Sequence, residues 1–438
     1  MKATWIGHAS WLIETGVKRD APLATPAITL TDDADEPVTT MLSPAERSSE
    51  ASASSASSTR EEEEAEGDGG KRNAKGMEEE RGIRILLDPV FSARMSPVRF
   101  AGPKRFSPPP CALEDLPDPV DLVVISHDHY DHLDAPTIRF LVGRERRRSE
   151  EGAGKATGRG LLFLCGLGVG RHLLGMGVRE EEIVELDWWE GVRVQAKGVR
   201  GAVRLVCTPS QHNSGRNVWD MGKSLWCSWV IEELGLGDGD DGNGDGGRQR
   251  SSSGSGGNEP RAGRKDGEGK EEETANQSTA VAGTNRASSN IVGSDSALSP
   301  PSNKKIFFAG DTAYRTIPSG ADDKDRAAIA KLPRCPAFAE IGALYGPFDL
   351  ALLPIGCYSP RTFMSHVHCA PDDAVCMHVD LRSKRSVAMH YGTVRGALSE
   401  LYEDVREPPQ LWRKEAERAG LRWGVDAGVC AIGETVLV

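Results

Sequence analysis

The sequence predicts an α/β fold in which β-sheets and helices form packed layers. Three observations lead to this prediction. Short apolar runs, rich in Val, Ile and Phe and closed by turn or polar residues, recur along the chain. Helical patterns of apolar residues lie between these runs, mainly in the second half. Five of the runs are followed within a few residues by His or Asp, which is typical of a site built from strand-end loops.

Eleven apolar runs are predicted as strands, because they are short and rich in branched and aromatic residues. These strands are Thr4–Ile6, Trp11–Glu14, Ile83–Leu87, Leu122–Ile125, Leu161–Leu164, Val192–Ala196, Val203–Cys207, Leu225–Ile231, Lys305–Ala309, Leu350–Pro354 and Ser386–Met389. Five further segments have a helical pattern, and Pro371 is a typical helix start. The predicted helices are Ala135–Val142, Arg171–Met176, Pro371–Val379, Val394–Tyr402 and Pro409–Ala419.

Three segments have too few apolar residues to belong to a core. Residues 17–80 contain "SSEASASSASSTREEEEAEGDGGK", residues 143–160 read "GRERRRSEEGAGKATGRG", and residues 235–302 contain "GDGDDGNGDGGRQRSSSGSGG". Such sequences cannot bury enough apolar surface to offset the entropy of the chain. We therefore predict one domain over residues 1–438, with low-complexity insertions at 17–80 and 235–302 and a short polar insertion at 143–160. The roughly 290 residues outside them suit one large domain.

The composition excludes several classes of protein. A net charge of −12 argues against nucleic-acid binding, which needs a basic surface. Nine scattered cysteines without CxxC pairs predict reduced thiols in a cytosol-facing protein. No apolar run is long enough for a spanning helix, and "MKATWIGHASWLIE" begins as a strand pattern rather than a secretory signal. We expect a cytoplasmic protein and leave a peripheral membrane contact open.

The stretch "VVISHDHYDHLDAPT" carries the strongest chemical signal. A chain with 10 histidines in 438 residues places three of them, with two aspartates, between His127 and His132. Histidine and aspartate are common metal ligands. Alternate residues of an extended turn project to one side, so His127 and His129 can hold one ion. Asp131 and His132 can then face a second ion.

Each ion needs further ligands, and three later strand ends offer them. His212 follows "LVCTPSQ", Asp311 lies in "IFFAGDT", and His390 lies in "SVAMHYG". We predict two adjacent sites with Asp311 as a bridging carboxylate. Their ligands are His127, His129 and His212 in one, and Asp131, His132 and His390 in the other. Few protein ligands with an open position indicate catalytic coordination; two Zn²⁺ are the first choice, with Fe or Mn as alternatives.

The remaining histidines carry a weaker signal. His172, His366 and His378 are isolated in the sequence, so we interpret them as packed or surface residues. His8, in "GHAS", has two interpretations: a core histidine bonded to backbone, or a residue that supports a metal ligand.

HxHxDH, followed by a strand-ending His, the Asp of "GDT" and a late strand-ending His, resembles the metallo-β-lactamase superfamily. More narrowly, "TWIGHAS", "LLDPVFSARMSPVRFAGPKRFSPPPC", "CTPSQHNSGR" and "GPFDLALLPIGCYSPRTFM" resemble the N-acyl-phosphatidylethanolamine-hydrolysing phospholipase D family. Such blocks span nearly all of the chain outside the insertions. The resemblance implies a four-layer αββα sandwich with a two-metal site along one sheet edge. It also implies a phospholipid substrate and a homodimer that contacts membrane from the cytosolic side.

The activity that the resemblance implies is a metal-dependent phosphodiesterase of the phospholipase D type. It would hydrolyse N-acyl-phosphatidylethanolamine to N-acylethanolamine and phosphatidic acid, with water activated by the cations. Asp131 is a candidate to orient the nucleophile or carry its proton. His368, in "SHVHCAP", matches a family histidine near the phosphate, and Tyr130 is a candidate donor to a phosphoryl oxygen. Their alternatives are a surface histidine and a packing residue.

The chain also departs from the family pattern. Asn213 stands where the family usually has Trp, and Asp128 stands where it tends to have Asn. Two other functions therefore stay open. One is hydrolysis of another substrate on the same fold, such as a lactone, a β-lactam or a sugar phosphate. The other is a metal-binding protein without catalysis, against which the complete ligand set argues. An RNA-processing nuclease is disfavoured by the acidic charge.

Overall fold

The computed structural model of the chain describes residues 1–17, 27–31, 81–98, 100–151, 160–196, 199, 201–234, 303–396 and 401–438. The chain divides into one unit formed by Met1–Gly237 with Ser302–Val438, and a second, Asp238–Pro301. The second unit and the predicted insertion 235–302 lie outside the described residues.

The first sheet has seven strands. They are β1 (Lys2–Gly7), β2 (Ser10–Glu14), β4 (Arg84–Leu87), β6 (Leu122–Ile125), β7 (Leu162–Gly166), β8 (Ile183–Leu186) and β17 (Thr435–Leu437). Their order across the sheet is β17–β1–β2–β4–β6–β7–β8. Strands β4, β6, β7 and β8 run parallel, so their carboxyl ends lie along one edge.

The second sheet has eight strands. They are β3 (Ala27–Thr31), β9 (Gly191–Gln195), β10 (Ala202–Thr208), β11 (Ser228–Leu234), β12 (Lys305–Phe308), β13 (Leu350–Pro354), β14 (Ser386–Met389) and β16 (Ala427–Gly428). Their order is β16–β14–β13–β12–β11–β10–β9–β3. Strands β12, β13 and β14 are parallel, and two antiparallel pairings give β10 the same direction as β12. A two-stranded ribbon pairs β5 (Lys104–Arg105) with β15 (Val394–Arg395).

Seven α-helices accompany the sheets within the described ranges. They are α1 (Ala135–Glu151), α2 (Gly170–Gly175), α3 (Arg326–Ile329), α4 (Ala337–Leu344), α5 (Arg361–Met364), α6 (Pro371–Asp380) and α7 (Glu407–Arg418). Two short 3-10 turns are Leu113–Asp115 and Glu180–Glu182.

Alternating side chains on the strands produce the layers. On β6, Leu122 and Val124 belong to the core between the sheets, whereas Val123 and Ile125 pack in the cluster that includes α1. On β12, the Phe307 ring lies 6.5 Å from that of a phenylalanine on α4. Helices therefore cover the outer faces of both sheets. The predicted four-layer αββα sandwich is the fold of this protein.

The structure corrects three predicted boundaries. Helix α1 continues to Glu151, so the first part of the predicted insertion 143–160 is helical. Within the predicted insertion 17–80, strand β3 pairs antiparallel with β9 and extends the second sheet. The predicted helix Val394–Tyr402 is wrong at its start, because Val394 and Arg395 form β15. In each case a tertiary partner, rather than the local pattern, determines the element.

The nine cysteines are all unpaired, as expected for reduced thiols. Within the parts of the chain that the structure describes, no helix is long and apolar enough to cross a membrane.

Candidate metal centre

The candidate centre lies where five strand ends meet. Strand β6 leads into the HxHxDH turn, β10 leads to His212, β12 leads to Asp311, and β14 leads to His390. The fifth strand, β4, ends directly before Asp88. The carboxyl ends of these strands lie at the same edge of the sandwich, so loops that are distant in sequence converge there.

The first ligand group contains three imidazoles whose ring nitrogens face one another. His127 Nε2 lies 2.9 Å from His129 Nδ1, and His212 Nε2 lies 3.3 Å from the same atom. The potential ligand atoms of all three lie within 4.8 Å of one another. Three basic nitrogens converging on one point repel each other unless a cation or proton lies between them. This arrangement fits one metal ion.

The second group contains Asp131, His132 and His390. Asp131 Oδ2 lies 3.7 Å from His132 Nε2 and 3.9 Å from His390 Nε2. Asp311 lies beside both: its Oδ2 is 3.1 Å from His132 Nε2, and its Oδ1 is 3.0 Å from His390 Nε2. The same Oδ2 lies 4.0 Å from Nε2 of His212 in the first group. Asp311 thus joins the two groups, the position expected of a bridging carboxylate.

Hydrogen bonds behind the ligands fix their orientation. Asp88 accepts bonds from His132 Nδ1 at 2.7 Å, from Ser126 Oγ at 2.5 Å and from Ser126 N at 2.7 Å. Ser126 Oγ in turn lies 2.9 Å from His127 Nδ1. His212 Nδ1 donates to the carbonyl of Val367 at 2.8 Å. Each imidazole therefore has its Nδ1 engaged and presents Nε2 to the centre.

His8 takes part in the second group. Its side chain is buried, and its Nε2 donates to Asp131 Oδ2 at 3.0 Å. Its ring centroid lies 4.1 Å from that of His390, whose backbone N–H donates to the His8 carbonyl at 3.0 Å. His8 also falls in the set of potential ligand atoms formed with Asp131, His132 and His390.

The unpaired polar atoms at the centre test whether metal ions fit. Among the described residues, His132 Nε2, His390 Nε2, Asp311 Oδ1 and His368 Nδ1 are buried without a hydrogen-bond partner. Buried polar atoms are rarely left unpaired, because each costs free energy. Here they converge on the same space, together with carboxylate oxygens. Imidazole and carboxylate donors match Zn²⁺, Fe and Mn, so the residues fit divalent cations.

The charge state of the centre also suits cations. Burial would raise the pKa of Asp131 and Asp311, but the neighbouring imidazoles outweigh burial and hold both values well below the usual range. Burial lowers the pKa of His212 to about 4, against the opposing effect of Asp311. Burial and neighbouring imidazoles also hold the pKa of His127 well below its usual value. Ionised carboxylates and neutral imidazoles are the forms that bind metal.

The candidate catalytic residues lie differently. Asp131 is the most open carboxylate of the centre, with 30% of its side chain exposed. His368 is buried, with Nδ1 3.8 Å from Asp311 Oδ2 and its ring 5.3 Å from that of His390. Tyr130 instead packs against Arg216, whose guanidinium carbon lies 3.9 Å from the ring centroid. The structure therefore brings His368, and not Tyr130, in among the imidazoles.

Asp128 connects the HxHxDH turn to surrounding elements. Its Oδ1 accepts from Gly215 N at 2.7 Å, and its Oδ2 accepts from Ser224 Oγ at 2.7 Å and His172 Nε2 at 3.2 Å. These bonds outweigh burial and lower the pKa of Asp128 to about 2. His172, interpreted from sequence as an isolated residue, is thus bonded to the turn that carries the ligands.

Two functional positions escaped the sequence analysis in part. Asp88 was visible as a strand end, but its bonds to His132 and Ser126 were not foreseen. For His8 the structure favours the supporting role over the core role, because its side chain bonds to Asp131. Both residues have positive φ, 39° and 57°, as does His390 at 59°. Such conformations are uncommon outside glycine and cluster at functional sites.

The comparison with known families agrees with this geometry. The family model described as the beta-lactamase superfamily domain matches residues 83–239 and 297–391, more than half of the chain. The chain belongs to the beta-lactamase superfamily. The matched ranges contain all seven predicted metal ligands and Asp88.

Individual relatives extend the comparison. An uncharacterized protein of Mycobacterium tuberculosis is 32% identical over 340 residues, which is 77% of this chain and 58% of that protein. N-acyl-phosphatidylethanolamine-hydrolyzing phospholipase D 1 of Caenorhabditis elegans is 27% identical over 74% of this chain and 64% of that one. The mitochondrial N-acyl-phosphatidylethanolamine-hydrolyzing phospholipase D of Saccharomyces cerevisiae is 31% identical over 71% and 44%. The chain thus spans less than two thirds of each relative's length.

Proposed function

We propose that this protein is a dinuclear metal-dependent phosphodiesterase that hydrolyses N-acyl-phosphatidylethanolamine to N-acylethanolamine and phosphatidic acid. The observation that carries the proposal is the position of Asp311 between two groups of imidazole and carboxylate donors. Similarity to two relatives named for this reaction supports the choice of substrate. Metal-dependent hydrolysis is the coarser part of the proposal, and the lipid is the finer part.

The residues that would hold the cations are the two groups already described. Bound there, two cations would act as Lewis acids that lower the pKa of water and polarise the phosphoryl group. The protein's contribution is a fixed set of donors, because Asp88, Ser126 and Val367 orient the imidazoles from behind. Pre-oriented donors need no rearrangement during the reaction.

Asp131 and His368 have separate roles in this proposal. His8 holds Oδ2 of Asp131, which leaves the second carboxylate oxygen able to orient the attacking water and accept its proton. His368 points an unpaired ring nitrogen into the centre, and its neutral imidazole can still donate one N–H to a phosphoryl oxygen. Burial holds the pKa of His368 well below its usual value, which favours the neutral form.

The reaction breaks the bond between phosphorus and the ethanolamine oxygen. The water oxygen joins phosphorus and stays with phosphatidic acid, while the leaving alkoxide takes up a proton and departs as N-acylethanolamine. Tyr130 is the less favoured of the three candidate residues. Its packing against Arg216 gives it a structural contact that explains its presence without a role in the reaction.

The test is hydrolysis by the purified full chain of N-acyl-phosphatidylethanolamine in detergent micelles, followed by mass spectrometry in ¹⁸O-water. We expect both products, ¹⁸O in phosphatidic acid alone, and loss of the reaction with a chelator. His368→Ala should lower the turnover strongly, and the exposed His366→Ala is the matched control. Opening of a lactone without lipid hydrolysis would refute the lipid substrate. Bound metal with no turnover of either would refute the enzyme assignment.

A further inference from the structure

The loop that follows His212 presents large apolar side chains to solvent. We define the Trp219 loop as residues 213–224, which connect this ligand to β11. Trp219 is 83% exposed, Val218 is 76% exposed and Met221 is 63% exposed. Three such side chains within four residues form an apolar tip, and contiguous exposed apolar groups often mark an interaction surface.

The loop holds this tip in a fixed conformation. Asp220 Oδ1 accepts from the backbone N–H groups of Arg216 at 2.9 Å and Asn217 at 2.7 Å, and Asn217 Oδ1 accepts from Trp219 N at 2.8 Å. The base of the loop is bonded to Asp128, which accepts from Gly215 N and from the Arg216 guanidinium through its carbonyl. The apolar tip is therefore ordered rather than exposed because the loop is loose.

A second exposed segment lies on the other strand ends of the centre. We call Ser92–Leu113 the basic segment, because it contains four basic residues and no acidic residue in a chain of net charge −12. Phe100 is 83% exposed and Phe106 is 48% exposed. The segment is joined to the loop after His390, because Phe106 N donates to the carbonyl of Thr393 at 2.9 Å.

We infer that the Trp219 loop and the basic segment dock the protein on the surface of an anionic phospholipid bilayer, an inference that rests on the proposed function for its choice of partner. Tryptophan and phenylalanine partition into the interface between headgroups and acyl chains, while lysine and arginine attract anionic headgroups. A bilayer accepts side chains of unlike shape such as Trp219, Val218 and Met221 without a matching pocket. Both segments adjoin metal-centre residues, so docking would bring a lipid phosphate toward the centre.

The local charge supports a lipid surface over an acidic or neutral partner. Asp220, the single acidic residue of the Trp219 loop, has both oxygens engaged within the loop. Lys223 in this loop and Lys104 in the basic segment are exposed and free to face phosphate groups. The apolar tips and the cations thus occur together on the loops around the centre.

The experiment is flotation of the full chain with vesicles of phosphatidylcholine containing phosphatidylglycerol, and with vesicles of phosphatidylcholine alone. Neither contains N-acylated lipid, so the result does not depend on hydrolysis. The doubly substituted Val218→Ser/Trp219→Ser variant should bind at least about ten-fold more weakly, which corresponds to about 1.4 kcal/mol. Leu344→Ser, which removes a side chain that is 60% exposed on α4, is the matched control and should bind as the unchanged protein does.

The charged part of the inference has its own variant. Lys104→Ala should weaken binding to the anionic vesicles about five-fold and leave binding to phosphatidylcholine vesicles little changed. Equal metal content and equal thermal unfolding among the variants would show that each is folded.

Several outcomes would overturn the inference. One is the absence of flotation by the unchanged protein, and another is equal flotation of the Val218→Ser/Trp219→Ser variant. A third is self-association through the tip, seen as a dimer in sedimentation that this variant converts to a monomer without any vesicle binding. If micellar lipid is hydrolysed but vesicles are not bound, the proposed function stands and the inference fails. If vesicles are bound through the tip but no lipid is hydrolysed, the inference stands and the function fails.

Discussion

Replacing Asp88 by asparagine should weaken metal binding although Asp88 is not among the predicted ligands. The carboxylate accepts three hydrogen bonds, from His132 Nδ1, Ser126 Oγ and Ser126 N. Asparagine offers one oxygen and an NH₂ group, so at least one donor would face another donor in a fully buried place. Through Ser126, the change would also reach the Nδ1 of His127.

The magnitude follows from two effects. Loss of a partner behind a metal ligand typically costs about 10–100-fold in metal affinity, which is about 1.4–2.7 kcal/mol. An unpaired buried donor costs the metal-free protein about 1–3 kcal/mol of unfolding free energy. Competition with a chromophoric chelator measures the affinity, and thermal unfolding in excess chelator measures the stability.

The matched control is Asp121→Asn, at the opposite end of the same strand. Asp121 is also nearly buried and accepts from Arg81 and from the backbone N–H of Arg84. We expect that this variant loses stability without losing metal affinity. A metal affinity for Asp88→Asn within two-fold of the unchanged protein would refute the role given to Asp88.

Three further predictions concern other parts of the centre. Asp311→Asn should lower the metal bound per chain, measured by elemental analysis, because both groups lose their shared carboxylate; two metals per chain would contradict this. His8→Ala should lower kcat about 10–100-fold with little change in KM, because Asp131 loses its hydrogen-bond donor, and His8→Gln should recover part of the loss. Asp128 has a pKa of about 2 against 3.8 in the unfolded chain, so its stabilisation of about 2 kcal/mol is complete above pH 3.8 and lost as the pH falls through 2. The difference in unfolding free energy between Asp128→Asn and the unchanged protein should shrink over that range in acid denaturation; a constant difference would contradict the pairing of Asp128 with His172.

The strands that deliver the centre could be predicted because they are buried on both faces. The runs at β6, β12 and β13 are continuous stretches of apolar residues, which short strands between helices require. The edge strands gave no comparable signal. Strand β3, "AITLT", and strand β8, "IVEL", are stabilised by pairing with β9 and β7, and these partners lie far away in sequence or resemble loops.

The extent of α1 shows why charged segments are difficult to assign. "GRERRRSEE" resembles a solvated loop in composition, yet Arg146 pairs with Glu182 and Arg148 pairs with Glu145. These ion pairs allow a polar helix to continue past its apolar turns. Composition alone does not distinguish such a helix from an insertion.

The candidate site was predictable where ligands are adjacent in sequence and less so where they act across the fold. His127, His129, Asp131 and His132 form one turn, so their spacing alone indicates metal. The bonds from Asp88 to His132 and from His8 to Asp131 join residues 44 and 123 positions apart. No local pattern encodes contacts at that separation; only the packing of the two sheets determines them.

The central claim is that two ligand groups sharing Asp311 form a paired-ion centre that hydrolyses a phosphodiester. Its most direct test is stepwise addition of Zn²⁺ to the chelated full chain while release of N-acylethanolamine is followed by mass spectrometry. The account predicts that release increases until about two equivalents of metal per chain are bound and then stays constant. Release that is unaffected by chelation, or complete at one equivalent, would contradict it.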